Sequence, residues 1–316
     1  MLPTPVKTPP LDLTIRCGFE LTYEATAPSP SLLLLKPRPG PTQLVEHESF
    51  RFSPRLPVHE MEDRHGNLAH RVVLPAGRTS LYGDALIAVP SVYEDHGLRD
   101  EPASMDLLSL ELVRYTLPSR YCDSDKLIPF ANEQFGHLAH GVAQVRAICD
   151  WVHRHIEYRW GAGSPHFSAS DVLEQRFGVC RDFAHLALSL CRCFNLPARY
   201  VTGFVPDVAF KDPGTPMDFH AYFQVWLGGE WRNFDARFNV PRIGRIDIAR
   251  GLDAVDAAFS TVYGPARLVW FSVWAYQVDP ATARLGDPVD LSTRLDGTPE
   301  LRFPTEDGQG THSFST

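Results

Sequence analysis

No run in this chain approaches the ~18 consecutive apolar residues that a membrane span requires. The longest, Ser31–Leu35, is strand-sized. Positive charge is in deficit: 30 Lys and Arg against 38 Asp and Glu leave a formal net charge of -8. A surface of that balance repels phosphate, so nucleic acid is not an expected partner. Cysteine is scarce, with six in 316 residues, at positions 17, 122, 149, 180, 191 and 193. No C-x-x-C pair occurs, and Cys191 and Cys193, two apart on a helix, point in different directions. This excludes a disulfide framework and gives no zinc-ligand spacing. The N-terminus has neither the basic region nor the apolar core of a secretion signal, so a cytoplasmic site with reduced thiols is expected. Gly161-Ala162-Gly163 lacks the lysine and spacing of a phosphate loop. No internal repeat is visible.

What is present divides into two patterns. Residues 1–10 carry four prolines and read as a flexible arm. From 11 to 118 the apolar residues recur with a period of two, as in Leu11, Leu13, Ile15 and then Phe19, Leu21, Tyr23, between Pro- and Gly-rich breaks. Short strands between turn signals predict a β-sandwich or partial barrel. His65 and His70, beside Gly66-Asn67, read there as exposed turn histidines. From about Ala131 the period changes. Val142, Val145, Ile148, Cys149, Val152 and Ile156 predict an amphipathic helix of five or six turns. Ser168 with Asp171 three residues on predicts the cap of a short helix ended by Gly178. The region 119–280 is thus expected to form an α+β core. Residues 281–316, rich in Gly, Thr and Pro, are expected to form a loosely held tail.

The chemistry concentrates in the core. Gly178-Val179-Cys180-Arg181-Asp182-Phe183-Ala184-His185-Leu186 opens a helix that stops near Asn195 and Pro197. Phe183, Leu186, Ala187, Leu190 and Phe194 form its apolar face, and Arg181, His185, Ser189 and Arg192 its polar stripe. Cys180 lies in the first turn, where free N–H groups and the helix dipole favour an anion, so a depressed thiol pKa is expected. Asp182 serves the same helix terminus, and His185, five residues beyond Cys180, reads as structural. Downstream, His220, Tyr222, Gln224 and Trp226 alternate with Ala221, Phe223, Val225 and Leu227. Gly228-Gly229 then predicts a tight hairpin turn. Closing it pairs Leu227 with Glu230, so Tyr222 faces Asp235 and His220 becomes the diagonal neighbour of Asp235, within reach of an imidazole–carboxylate contact. The reading assigns Cys180 as nucleophile, His220 as base and Asp235 as the residue that orients the ring.

These residues, together with Pro197-Ala198-Arg199-Tyr200-Val201-Thr202-Gly203 and His220-Ala221-Tyr222, resemble the core of the bacterial transglutaminase-like proteins, a family described in terms of cysteine-protease chemistry. Pro118-Ser119-Arg120-Tyr121 and the β-rich region resemble the N-terminal domain that accompanies this core, and Ile243-Gly244-Arg245-Ile246 resembles the stretch after the acid. The resemblance covers roughly residues 11–279. It implies a papain-like core in which the cysteine helix packs on an antiparallel sheet carrying His220 and Asp235. It also implies acyl transfer or hydrolysis at a peptide or protein carboxamide. The chain departs from the family at Tyr222, where Trp is usual, and at Ala236-Arg237, where Pro-Thr is usual. Tyr158, Trp160 and Tyr222 are candidates for a second oxyanion donor or the cleft wall. No cofactor is expected, because the calcium loops of the animal enzymes have no counterpart here. The β-rich region is a candidate for substrate restriction or self-association. Two alternatives stay open: a non-catalytic binding module on the same fold, and a coenzyme A-dependent arylamine acyltransferase.

Overall fold

The computed structural model describes residues 9–94, 102, 104–211 and 216–296. The expected N-terminal arm therefore lies almost wholly outside the described residues, as does the tail beyond 296. Three antiparallel four-stranded sheets and a set of short helices make a mixed fold. One sheet runs 266–277, 13–25, 77–89, 44–53, and a second runs 260–262, 29–33, 68–74, 59–62. The third, at the centre of the core, orders its strands 230–234, 220–227, 198–204, 246–251.

The first two sheets form the predicted β-rich layer, with one correction. Ser260–Val262 and Ala266–Gln277, placed by the sequence reading in the core region, pair with Ser29–Leu33 and Leu13–Ala25. Strands from the region 119–280 thus complete sheets begun in the region 11–118. Leu13–Ala25 is buried along nearly its whole length because both edges are paired and both faces covered. Its polar positions are satisfied: Arg16 makes a two-point contact with Asp84 at 3.0 and 2.8 Å and donates to the Asp287 carbonyl. The start of the expected loose tail is accordingly tied down. Asp84 also accepts from the Gly286 N–H, and Leu295 donates to the Gln277 carbonyl.

In the helical region the predicted amphipathic helix is Val142–His155, 14 residues and so about four turns rather than five or six, and a separate helix, Ser124–Phe135, precedes it across a segment bounded by Gly136 and Gly141, the latter at φ 113°. The short helix Ala169–Gln175 carries the predicted Ser168/Asp171 capping arrangement, with Asp171 accepting from the Ser168 N–H at 2.8 Å. It ends two residues earlier than expected, at Arg176 in the left-handed region, and Gly178 joins a short parallel pairing with Tyr158. The helix Cys180–Cys193 is buried from Asp182 to Arg192. Beyond half-exposed Arg181, its expected polar stripe is buried too, with backbone carbonyls satisfying Ser189 and Arg192. Arg192 donates to the carbonyls of Ala198, Leu117 and Leu252, and Ser189 to that of His185. This helix packs on the strands 198–204 and 220–227. Most buried apolar residues of both layers belong to one continuous core.

Candidate active site

The His220–Leu227/Glu230–Phe234 hairpin has the predicted register, Leu227 opposite Glu230 through Phe223 opposite Phe234. Gly228 and Gly229 sit at φ 58° and 83°, the conformation a two-residue hairpin turn matching strand twist demands. The register carries Asp235, one residue past its strand, to the His220 side of the sheet. His220 Nε2 and Asp235 Oδ2 are 2.8 Å apart, and both residues are buried. The other carboxylate oxygen accepts from the Arg237 and Phe238 N–H groups at 3.0 and 3.2 Å, which fixes the rotamer. With Nε2 committed to the carboxylate, Nδ1 is the ring nitrogen left for a proton from elsewhere.

Cys180 opens the helix Cys180–Cys193, and its sulfur lies against the N–H of Ala221, the residue after His220. The expected depressed thiol pKa is overturned. Burial pushes the Cys180 thiol up to about 12, and Asp218, Asp235 and Asp182 add to the rise, outweighing the Ala221 N–H. The helix terminus is a local feature visible in sequence, whereas desolvation and carboxylates brought in by other elements are tertiary. The cysteine therefore rests as a thiol.

Asp235 has a partner that sequence reasoning missed. Arg245 Nη1 lies 3.2 Å from Asp235 Oδ2, and Arg245 grips Glu94 at 2.7 and 2.9 Å. Burial alone would raise the Asp235 carboxyl, but His220, Arg245 and the Phe238 N–H hold it well below the usual carboxylate range. Burial opposes the charge on Arg245 as well, and Glu94 and Asp235 outweigh it. The carboxylate is thus charged whenever His220 is in use. Asp218 is the second missed residue. Burial pushes its carboxyl up to about 6, and its charge acts on Cys180. Arg245 stood in a stretch singled out by resemblance and Asp218 lies two residues before His220, so each had a weak signal. Glu94, in the β-rich region, had none.

The other candidates divide. Tyr158 is half-buried in the surroundings of Cys180. Burial, then the cysteine's own charge, pushes its hydroxyl up to about 12, so it remains a donor. The Arg237 guanidinium covers its ring at 3.9 Å. Trp160 is 57% exposed and stacks on Phe271 of the strand 266–277. Tyr222 is fully buried, bonded to Asp247 and covered by Arg245, so it backs the His220 ring rather than lining a cleft wall. Asp182 caps the helix Cys180–Cys193 through the Val179 N–H at 2.9 Å, as expected. His185 is buried between Tyr121 and Tyr200. His65 and His70 are not exposed turn residues. His65 is buried beside Tyr115 and Asp256, and His70 pairs with Glu60, because the sheet folds these turns inward. All six cysteines are free. Among the described residues no group of three or more His, Cys, Asp or Glu could hold a metal ion, and no helix is long and apolar enough to cross a membrane.

A buried helix that presents a cysteine at its amino end to an antiparallel sheet carrying a histidine–aspartate pair defines the papain-like class of fold. Comparison narrows the class. The transglutaminase-like superfamily profile matches residues 129–236. The structure of a "putative cysteine protease" from Cytophaga hutchinsonii superposes with a TM-score of 0.78 at 31% identity, over 84% of this chain and 91% of that one. An uncharacterized protein of Mycobacterium leprae is 35% identical over 117 residues, 36% of this chain and 42% of its own length. One from Mycobacterium tuberculosis is 32% identical over 92 residues, 27% and 28% of the two chains. The chain thus spans less than half the length of these curated relatives. It belongs to the transglutaminase-like superfamily.

Proposed function

We propose that the protein is a cytoplasmic cysteine-dependent enzyme that cleaves or transfers the acyl group of a peptide or protein carboxamide. The observation that carries this reading is the buried His220–Asp235 pair at 2.8 Å, at the end of the strand whose Ala221 N–H meets the Cys180 sulfur. In the first half-reaction His220 Nδ1 takes the thiol proton as Cys180 attacks the carbonyl carbon. A C–S bond forms, and the carbonyl electrons move to oxygen. The Cys180 backbone N–H and the Tyr158 hydroxyl are the donors proposed for that oxygen. Its collapse breaks the C–N bond, and the imidazolium returns its proton to the departing amine or ammonia. A thioester remains. In the second half, His220 deprotonates water or an amine, which attacks the thioester and releases the thiol with a carboxylic acid or a new amide. Asp235, kept charged by Arg245, stabilises the imidazolium in both halves.

The raised thiol pKa suits this sequence, in which the sulfur keeps its proton until His220 takes it as the C–S bond forms. The test is single-turnover incubation with peptides bearing a glutamine carboxamide, followed by intact-mass measurement. An adduct on Cys180, absent in Cys180→Ser and His220→Ala, supports the reading. Partition of that adduct between water and an added primary amine then separates amidase or protease action from transglutamination. No adduct with any peptide or carboxamide offered would favour a non-catalytic module.

A further inference from the structure

The sheet that carries His220 has a second face, turned away from the nucleophile helix, and its far end opens into a cavity of about 560 Å³. That size fits a small molecule. Trp226 and Trp231, the last outward-facing pair of the hairpin, form one wall with Tyr115; the rings meet edge to face at 5.5 and 5.1 Å. Arg199 and Arg250, from the two neighbouring strands, also line it. From Trp226 to His220 the strand runs six residues, roughly 20 Å at strand rise, so this cavity is separate from the Cys180 cleft.

The arginines are the unusual part. Arg199 is buried, lies 4.1 Å above the Trp231 ring, and uses its Nε on Gln224 at 2.7 Å. Arg250 gives its Nε to the His65 carbonyl at 3.2 Å. The terminal amines of both have no hydrogen-bond partner among the described residues. The nearby carboxylate Asp247 is engaged by Tyr222 and Gln224, and among the described residues Glu111 is the one carboxylate lining the cavity, against Arg64, Arg199 and Arg250. Burial, then repulsion from Arg250, pushes the Arg199 guanidinium down to about 9. Asp247 offsets only part of the charge of buried Arg199 and half-buried Arg250, and an anion bridging the two guanidiniums would relieve their mutual repulsion.

We propose that this cavity binds a small organic anion, a carboxylate or phosphate group carried on a flat apolar body. The anionic group sits between Arg199 and Arg250, and the body lies against the indole rings of Trp226 and Trp231. The site's chemistry is independent of the cysteine reaction. The test is isothermal titration of the full chain with 1-naphthyl phosphate, 1-naphthoate, neutral 1-naphthol and inorganic phosphate. At least one naphthyl anion is expected to bind at least about tenfold more tightly than the alcohol, and inorganic phosphate more weakly than the naphthyl anions. A preference for the phosphate ester or for the carboxylate identifies the natural head group. Arg250→Gln should weaken the anion at least about tenfold. Trp226→Ala, which leaves the charges intact, should bring naphthyl phosphate down towards inorganic phosphate. Cys180→Ser should bind like the parent. Equal binding of alcohol and anion, undiminished binding by Arg250→Gln, no binding by either anion, or loss of binding in Cys180→Ser would each overturn the proposal.

Discussion

The raised thiol of Cys180 yields a quantitative expectation for alkylation once its base is removed. In His220→Ala the sulfur keeps its burial and its carboxylate neighbours, so it must ionise on its own with a pKa of about 12. A free cysteine ionises near ~8.5, so at neutral pH the variant holds roughly 3.5 logarithmic units less thiolate. A more basic thiolate is a better nucleophile, and with a Brønsted slope of ~0.4–0.5 this returns about 1.5 units. The net expectation is iodoacetamide alkylation roughly 100-fold slower than free cysteine at pH 7, rising about tenfold per pH unit to near pH 11. The parent protein should be much faster near neutrality, because His220 accepts the proton as the bond forms. The assay is peptide-resolved mass spectrometry of Cys180 across pH, with Asp235→Asn as the intermediate case. A His220→Ala variant that alkylates as fast as free cysteine, with a midpoint below ~8.5, would refute the argument that burial governs this sulfur.

Further expectations come from the supporting residues. Asp218→Asn removes a negative charge facing Cys180, so it should speed alkylation about three- to tenfold at pH 7–8; the difference should vanish below about pH 5, where Asp218, with its pKa of about 6, is already neutral. The sign for folding follows: the Asp218 pKa is raised in the folded state, so the carboxyl costs stability as pH rises through 6, and denaturant titrations of Asp218→Asn should lack that loss. Arg245→Met strands Glu94 and Asp235 as buried charges and should cost roughly 3–5 kcal/mol in urea unfolding, with loss of turnover. Gly203 lies opposite His220 across the strand pair, and a Cβ there would overlap the Ile246 carbonyl oxygen. Gly203→Ala should therefore cost about 1–3 kcal/mol and lower kcat more than KM, by displacing His220.

What the sequence made legible was local. The hairpin register followed from Gly228-Gly229 and strict alternation, and it delivered Asp235 to His220. The Ser168/Asp171 cap and the position of Cys180 at its helix start are also short-range patterns. What stayed hidden came from distant parts of the chain. Glu94 reaches Arg245 across 151 residues, and Ala266–Gln277 closes the sheet begun by Leu13–Ala25. Neither pairing has a periodicity to announce it. His65 and His70 read as surface turn residues because their burying partners, Asp256 and Tyr115 for one and the sheet interior for the other, lie elsewhere in sequence. The thiol pKa failed for the same reason: the helix end was visible, and the burial of the sulfur and the approach of Asp218 were not.

The account depends on which ring nitrogen of His220 holds the proton in the resting protein. Nitrogen-15 spectra of histidine-labelled protein, assigned with His220→Gln, read this directly. The geometry requires the Nε2–H tautomer, bonded to Asp235, with Nδ1 bare for the Cys180 proton. A resting His220 protonated on Nδ1 alone, its Nε2 unbonded to Asp235, would contradict the mechanism at its root.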